Sequence, residues 1–192
     1  MFEEIEKQLR RNDVYLDTLA SLDEETLNHS RRVLKLSYLL GRAAKLTEED
    51  MRNLSLGAIF HDIGKKFIPK EILGKNTKLT DEEFNEIKKH PVLGYEFMIN
   101  NGEFPESALA IISDHHEKLD GSGYPANKVD KELSKLTKIV TICDIYDAVI
   151  SDRVYRKGMD PILVEIMFFS DSDKLYDKEL VDLFFKKVVP EL

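Results

Sequence analysis

The stretch KLTKIVTICDIYDAVI, Lys135–Ile150, is the most apolar segment of this 192-residue chain. Its apolar side chains recur at helical rather than alternating spacing, which predicts a helix buried at the centre of a domain. Ser134, directly before it, is a residue type that caps helices. One acid, Asp144, interrupts the apolar run, and a carboxylate is rarely buried without a partner. The stretch therefore predicts both a helical core and a polar site inside that core.

Helical spacing continues on both sides of this stretch, and no segment competes as a strand, so we predict an all-α fold. Thr47 with Asp50 and Thr80 with Glu83 have the spacing of capping boxes. Pro91 is predicted to separate one helix from the next, because the residue before a proline avoids the helical conformation. The predicted helices cover about residues 3–19, 22–45, 48–64, 81–90, 92–100, 105–116, 135–150, 161–169 and 178–188.

Length and composition limit the class of protein. A chain of 192 residues fits one domain, with residues 1–22 as an N-terminal helix and residues 23–192 as the core. No window approaches the roughly 18 apolar residues of a membrane helix, so we expect no membrane insertion. The net charge of -8 argues against binding to nucleic acid polymers. With one cysteine, Cys143, and no signal-peptide pattern, we expect a cytoplasmic protein.

Side chains of the metal-ligand type stand out within this apolar frame. Asp62 follows His61 at the end of a predicted buried helix, and Glu25 and His29 are four residues apart on one helix face. Together with the other histidines and Asp144 they make eight potential ligands, which is more than one ion accepts. Their mixture of imidazole and carboxylate groups favours iron, manganese, zinc or cobalt over calcium or magnesium. We therefore predict a site for several ions, formed by Glu25, His29, His61, Asp62, His90, His115, His116 and Asp144.

Each of these residues also has an ordinary interpretation. A single buried histidine is more often a hydrogen-bonded structural residue than a ligand, and Asp144 could cap a helix or pair with Lys138. The ordinary interpretation is weaker for the set, because all five histidines of the chain belong to it.

Two segments resemble the signatures of a known family. HDIGK, His61–Lys65, is similar to the signature of the HD-domain metal-dependent phosphohydrolases. HHEKLDGSGYP, His115–Pro125, is similar to the second signature of their HD-GYP subgroup. The similarity extends from about residue 25 to residue 183 and includes DIYDAVISDRVYR, Asp144–Arg156. It implies an HD-domain helical bundle with a five-helix core and additional HD-GYP helices, and hydrolysis of cyclic di-GMP to pGpG or GMP.

The resemblance also implies roles for the metal-ligand residues. Seven of them match metal ligands of the family, with Asp62 as the bridge between ions. An acid at the position of Glu25 goes with three ions rather than two, so we expect three divalent ions, iron first and manganese second. The seven are His29, His61, Asp62, His90, His115, His116 and Asp144.

Several further residues are candidates for substrate contact. Lys65, one turn after His61, can reach a phosphate as a point charge, and we expect it to act in catalysis beside Asp62. The resemblance implies that Arg153 and Arg156 bind substrate phosphate. It also implies that Asp147 contacts the substrate or supports a ligand, and that Tyr124 borders the site.

The sequence departs from the family pattern in the wall that faces the substrate. Lys66–Pro69 lacks a glycine that commonly follows HDIGK, and residues 126–132 lack glycines often found after GYP. Alternatives therefore stay open. The substrate could be cyclic GMP-AMP or another nucleotide. The protein could instead be a non-catalytic module. Such a module would bind cyclic di-GMP, or it would bind a partner, either a diguanylate cyclase or another signalling protein, through the loop Gly121–Pro125, here called the GYP loop. Its C-terminal phenylalanines could belong to the core or to a homodimer surface.

Overall fold

A computed structural model describes residues 13–101, 103–151 and 157–192. Within those residues ten α-helices form and no strand does, which confirms the all-α prediction. The part of the first predicted helix before residue 13 lies outside the described residues. The helices are α1 Asp13–Ala20, α2 Glu24–Ala43, α3 Glu48–Phe60, α4 Lys70–Leu73, α5 Asp81–Ile87, α6 His90–Asn100, α7 Glu106–Asp114, α8 Lys135–Ile150, α9 Pro161–Asp171 and α10 Lys178–Lys187. Short 3-10 segments cover Ile63–Phe67, Asp130–Glu132 and Val189–Glu191.

Helix α8 lies at the centre of the bundle, as its composition predicts. It contacts α2, α3, α7, α9 and α10. Ile139, Val140 and Ile142 on this helix are almost completely buried. The Ser134 side chain accepts a hydrogen bond from the Thr137 N–H, so the predicted cap is confirmed. Burial of these side chains fixes α8 against its neighbours and places Asp144 inside the bundle.

Three further helices, α2, α3 and α5, begin at side-chain caps. The Asp23 carboxylate accepts from the backbone of α2, and Thr47 does the same for α3. Thr80 and Glu83 form the predicted reciprocal capping box at the start of α5. These caps satisfy backbone N–H groups that have no partner inside a helix. Helices α2, α3 and α7 then pack against one another, with α3 between the other two.

The predicted helix boundary at Pro91 is wrong. Helix α5 ends at Ile87, and α6 begins at His90, so Pro91 lies in the first turn of α6. A proline fits there because the N–H groups of a first turn have no helical acceptor. His90 therefore begins a helix instead of ending one.

Helices α9 and α10 close one side of the bundle through aromatic side chains. The rings of Phe168 and Phe184 are fully buried, which agrees with the core interpretation, whereas Phe169 is 41% exposed. Tyr146 of α8 packs its ring edge against Phe184, with the centroids 4.9 Å apart. Among the helices described, none combines the length and apolar character needed to cross a membrane.

Candidate metal centre

The fold brings together seven of the eight predicted ligands. Helix α2 carries His29, the end of α3 carries His61 and Asp62, and α8 carries Asp144. The others come from the start of α6 and the end of α7. The donor atoms form three overlapping groups, each within 4.8 Å: Asp62 with His90, His115 and His116; His29 with His61 and Asp62; and His61 with His115 and Asp144.

The Asp62 carboxylate lies between two sets of imidazoles. Its Oδ1 is 3.2 Å from His90 Nε2 and 3.9 Å from His115 Nε2. Its Oδ2 is 3.4 Å from His61 Nε2 and 3.6 Å from His29 Nε2. The side chain is 1% exposed. Each carboxylate oxygen thus faces a different set of donors, which is the arrangement that a bridging ligand requires.

Backbone carbonyls orient three of the histidines. A carbonyl only accepts hydrogen bonds, so the Nδ1 atom that contacts it must carry the proton, and the lone pair of the neutral ring is then on Nε2. In each case the acceptor lies three residues earlier in the chain. His61, His90 and His115 donate to Ala58, Ile87 and Ile112 at 2.8, 2.8 and 3.0 Å. When the rings are neutral, all three Nε2 lone pairs therefore point into the centre.

A carboxylate orients His29 instead. Its Nδ1 donates to Asp147 Oδ2 at 2.6 Å, and its Nε2 lies 3.0 Å from Asp144 Oδ1. Arg32 holds Asp147 through two parallel hydrogen bonds, from Nε at 2.7 Å and from Nη2 at 2.9 Å. Asp147 therefore holds the predicted ligand His29, which is the contact that one of its two predicted roles requires. Sequence analysis missed Arg32, which lies one helical turn after His29.

The GYP loop packs against His116. The Tyr124 ring stacks on the His116 ring with centroids 4.7 Å apart, and the Tyr124 N–H donates to the His116 carbonyl. The buried Glu117 carboxylate accepts hydrogen bonds from the backbone N–H groups of Ala126 at 2.6 Å and Lys128 at 3.0 Å. Glu117 is not among the site residues predicted from the sequence, although its signal is plain: it is an acid that directly follows two predicted ligands.

A close backbone approach explains the glycine of HDIGK. A Cβ atom added to Gly64 would lie 1.9 Å from the His90 carbonyl oxygen and 2.6 Å from the Gly94 N atom. Only a residue without a side chain lets the 3-10 segment after Asp62 touch the start of α6. This contact holds His90 near Asp62, although the two are far apart in sequence.

Burial and neighbouring charges shift the pKa values of the ligands. Burial alone would lower the pKa of His61, but the Asp62 and Asp144 carboxylates raise it to about 10. Burial would raise the pKa of Asp62, but Lys65 and His61 hold it well below its usual range. Burial and nearby histidines lower the pKa of His115 strongly, and burial lowers that of His116 to about 3.

The donor set fits bound cations. The buried atoms His61 Nε2 and Asp62 Oδ1 have no hydrogen-bond partner within the part of the chain that is described. His90 Nε2 and His115 Nε2 lie 3.2 Å apart, although both rings donate through Nδ1 to carbonyls and so present lone pairs to each other. Facing acceptors in a buried site are unfavourable without a proton or a metal ion between them. These imidazole and carboxylate donors could hold metal ions.

Of the other residues predicted for the site, Lys65 lies beside the clustered donors and Glu25 does not. Lys65 Nζ lies 2.6 Å from Asp62 Oδ2 at the edge of the centre. Glu25 is exposed in the first turn of α2 and lies outside the three donor groups. Asp144 does not pair with Lys138, which instead contacts Asp130 and Asp177. Arg153 and Arg156 lie outside the described residues.

Comparison with known proteins supports this description. A family model described as "HD domain" matches residues 13–180. A cyclic di-GMP phosphodiesterase of Pseudomonas aeruginosa is 37% identical over 140 residues, which are 73% of this chain and 34% of the relative. A 3'3'-cGAMP-specific phosphodiesterase of Vibrio cholerae is 35% identical over 134 residues, which are 70% of this chain and 29% of the relative.

A solved structure shows the same fold. An HDG"Y"P protein of Bdellovibrio bacteriovorus aligns with a TM-score of 0.70 at 20% identity, over 94% of this chain and 58% of the other. The chain spans between 34% and 45% of the length of the first three curated relatives that it matches.

Proposed function

The chain belongs to the HD domain family, and we propose that it is a metal-dependent phosphodiesterase that hydrolyses cyclic di-GMP to pGpG or GMP. The observation that supports this most is the Asp62 carboxylate, whose two oxygens face separate sets of imidazoles. Its curated relatives include enzymes named for cyclic di-GMP hydrolysis that are 37% and 36% identical to it.

We propose that the seven clustered residues hold two divalent ions and that Asp62 bridges them. Glu25, one turn before His29 on α2, would contribute to a third ion. The nitrogen and oxygen donors favour iron, with manganese as the second choice. When bound, such ions supply an activated water and neutralise phosphate oxygens.

The protein side chains would orient the substrate around this centre. Lys65 lines the adjoining cleft and is 21% exposed, so its ammonium group can donate to a phosphate oxygen. Asp147 acts through His29, which it holds by a hydrogen bond at 2.6 Å. Arg153 and Arg156 follow Ser151, which comes directly after α8 and lines the cleft. We propose that they bind phosphate by bidentate hydrogen bonds.

The GYP loop would serve recognition rather than chemistry. Tyr124 covers His116, and Glu117 fixes the chain that follows the loop. We propose Tyr124 as a contact for substrate, and the loop as a surface for a diguanylate cyclase or another signalling partner.

Product chromatography over a nucleotide panel tests the proposal. Metal-loaded protein is incubated with cyclic di-GMP, 3'3'-cGAMP, cyclic di-AMP and a linear dinucleotide, and the products are separated. We expect cyclic di-GMP to be cleaved fastest and its products to be pGpG or GMP. If cyclic di-GMP stays intact while another nucleotide is cleaved, the proposed substrate is wrong but the class of reaction is right.

A second candidate substrate is 3'3'-cGAMP. The observation in its favour is the 35% identity to an enzyme specific for that dinucleotide. A ratio of kcat/KM values above one for 3'3'-cGAMP over cyclic di-GMP would decide for it. If the loaded protein cleaves neither but binds cyclic di-GMP, the chain is a binding module.

A further inference from the structure

A cleft beside the metal centre extends well beyond it. The cleft has a volume of about 1170 Å³. His29 and Lys65 line it at the centre, and the segment 65–87 forms much of the remaining wall. This volume exceeds the roughly 300–1,000 Å³ of an ordinary small-molecule pocket. It therefore leaves room for more of a ligand than the phosphate at the metal centre.

The charge of the cleft is opposite to that of the chain. Six cationic side chains line it against three acidic ones, although the chain carries a net charge of -8. Such a concentration of positive charge attracts phosphate groups. The cations are Arg32, Lys65, Lys66, Lys70, Lys75 and Lys78, and the acids are Asp23, Glu25 and Asp81.

Four of the six cations already have partners. Arg32 pairs with Asp147, Lys65 with Asp62 and Lys75 with Glu83. Lys66 Nζ lies 4.3 Å from the centre of the Phe97 ring. Lys70 and Lys78 form no ion pair with any residue of the described ranges and are exposed. These two remain available to a ligand.

One carboxylate holds the loop that carries Lys78. Glu83 accepts hydrogen bonds from Lys75 Nζ at 2.6 and 2.7 Å, and from the Thr80 N–H at 2.8 Å. The Thr80 hydroxyl accepts in turn from the Glu83 N–H. These hydrogen bonds fix the loop at Lys75 and at Thr80. Lys78 lies between these two residues, on the wall of the cleft.

Phe84 gives the same wall an aromatic surface. It is the only Phe, Tyr or Trp among the described residues that line the cleft, and it is 46% exposed. Ile72, Leu79 and Ile87 line the cleft as well. Lys88 Nζ lies 4.9 Å from the centre of the Phe84 ring, and the unpaired Lys70 and Lys78 line the same cleft. An exposed aromatic ring in a cleft lined by unpaired lysines is the combination that binds a base together with its phosphate.

We infer that the part of the cleft lined by Phe84, Lys78 and Lys70 binds the second nucleotide of the dinucleotide. By the second nucleotide we mean the base and the phosphodiester that lie away from the bond that is cleaved. Phe84 stacks on its base, and Lys78 and Lys70 contact its phosphate. The inference rests on the proposed function. Under this inference a mononucleotide such as GMP binds at the metal centre and leaves the site at Phe84 empty, whereas a dinucleotide fills both.

Steady-state kinetics of two variants test this inference. Phe84→Leu removes the ring but keeps an apolar side chain, and Lys78→Gln removes the charge. Lys186→Gln is the matched control, because Lys186 is exposed on α10 and does not line the cleft. Each enzyme is assayed for KM and kcat with cyclic di-GMP and for the inhibition constant of GMP.

We expect Phe84→Leu to raise KM about tenfold, since loss of base stacking weakens binding by that order. Lys78→Gln should raise KM about fivefold at low salt and less at high salt. The kcat values and the GMP inhibition constant should stay within about twofold of wild type, and the control should behave as wild type.

Two results would overturn the inference while leaving the proposed function intact. One is an unchanged KM in both cleft variants of an enzyme that cleaves cyclic di-GMP. The other is a GMP inhibition constant that rises as much as KM, because the effect would then not depend on the second nucleotide. A wild-type enzyme that leaves cyclic di-GMP intact refutes the proposed function and the inference together.

Discussion

The Arg32 guanidinium is the outer end of a hydrogen-bonded chain that reaches the metal centre through Asp147 and His29. Each link is short, and both carboxylate oxygens of Asp147 are used. A carboxylate that holds a ligand imidazole fixes its orientation and makes the other ring nitrogen a better donor. At the scale of single residues, we therefore expect metal binding to depend on Arg32, a side chain that is not itself a predicted ligand.

Replacing Arg32 by alanine should weaken metal binding about 10- to 100-fold, because Asp147 loses its partner and His29 its fixed orientation. Titration of metal-free protein with Mn²⁺, in the absence of substrate, measures this. Arg31→Ala is the matched control, because the exposed Arg31 contacts only Asn28 among the described side chains. Equal affinities in the two variants would show that Arg32 has no positioning role.

Metal affinity should rise with pH between 6 and 9. In the metal-free protein the pKa of His61 is about 10, so below pH 10 the ring carries a proton that a metal ion must displace. Each unit of pH then changes the apparent affinity by up to about tenfold for one displaced proton. His115 and His116 have lowered pKa values and stay neutral throughout.

Titrations with Mn²⁺ at several pH values, together with the proton release on metal addition, measure this dependence. An affinity that does not change between pH 6 and 8 would contradict the proton displacement from His61.

At the scale of elements, five of the seven clustered residues lie at the ends of helices. His61 and Asp62 follow α3, His90 begins α6, and His115 follows α7. Such positions let Nδ1 reach a carbonyl of the adjacent turn while Nε2 points away from the helix. The contact between Gly64 and His90 fixes two of these ends relative to each other.

Gly64→Ala tests that contact. The added Cβ would lie 1.9 Å from the His90 carbonyl oxygen, so the 3-10 segment and α6 must separate. We expect a loss of unfolding free energy of about 2 kcal/mol and reduced metal content. Gly74→Ala is the control, because its nearest neighbour would be 3.2 Å away. Urea denaturation and elemental analysis measure both effects, and a Gly64 variant as stable as the control would contradict the account.

Local signals predicted most of the elements. The apolar spacing of Lys135–Ile150 and the caps at Ser134 and Thr80 depend on neighbours within a few residues, and the structure confirms them. The partnership of Arg32 with Asp147 joins residues 115 positions apart, and no local pattern signals it. The cleft wall at residues 65–87 also forms only when these segments pack together, so no local pattern in the sequence predicts it. The sequence predicts the helix break at Pro91, but the break lies before His90, because a proline is compatible with the first turn of a helix.

At the scale of the whole molecule, the centre connects helices that are distant in sequence. Ligands come from α2, α6 and α8 and from the ends of α3 and α7. A metal that binds only the folded state stabilises it by mass action, by about 4 kcal/mol at a thousandfold excess over Kd. Chelation with EDTA should therefore lower the Tm of the metal-loaded protein by several degrees.

Thermal unfolding with and without EDTA measures that difference. Asp62→Ala is the informative comparison, because it removes the shared ligand and should abolish the response to metal. A wild-type Tm that does not depend on metal would mean that the clustered histidines are structural residues rather than ligands.

We propose that Asp62 joins two groups of ligands into one centre that hydrolyses cyclic di-GMP. The most direct measurement is the rate of cyclic di-GMP cleavage by metal-free protein as Mn²⁺ or anaerobic Fe²⁺ is added in counted equivalents. We predict no cleavage without metal, a rate that rises until at least two equivalents per chain are bound, and no cleavage by Asp62→Ala at any metal concentration. Full activity in Asp62→Ala, or cleavage that does not depend on added metal, would contradict the account.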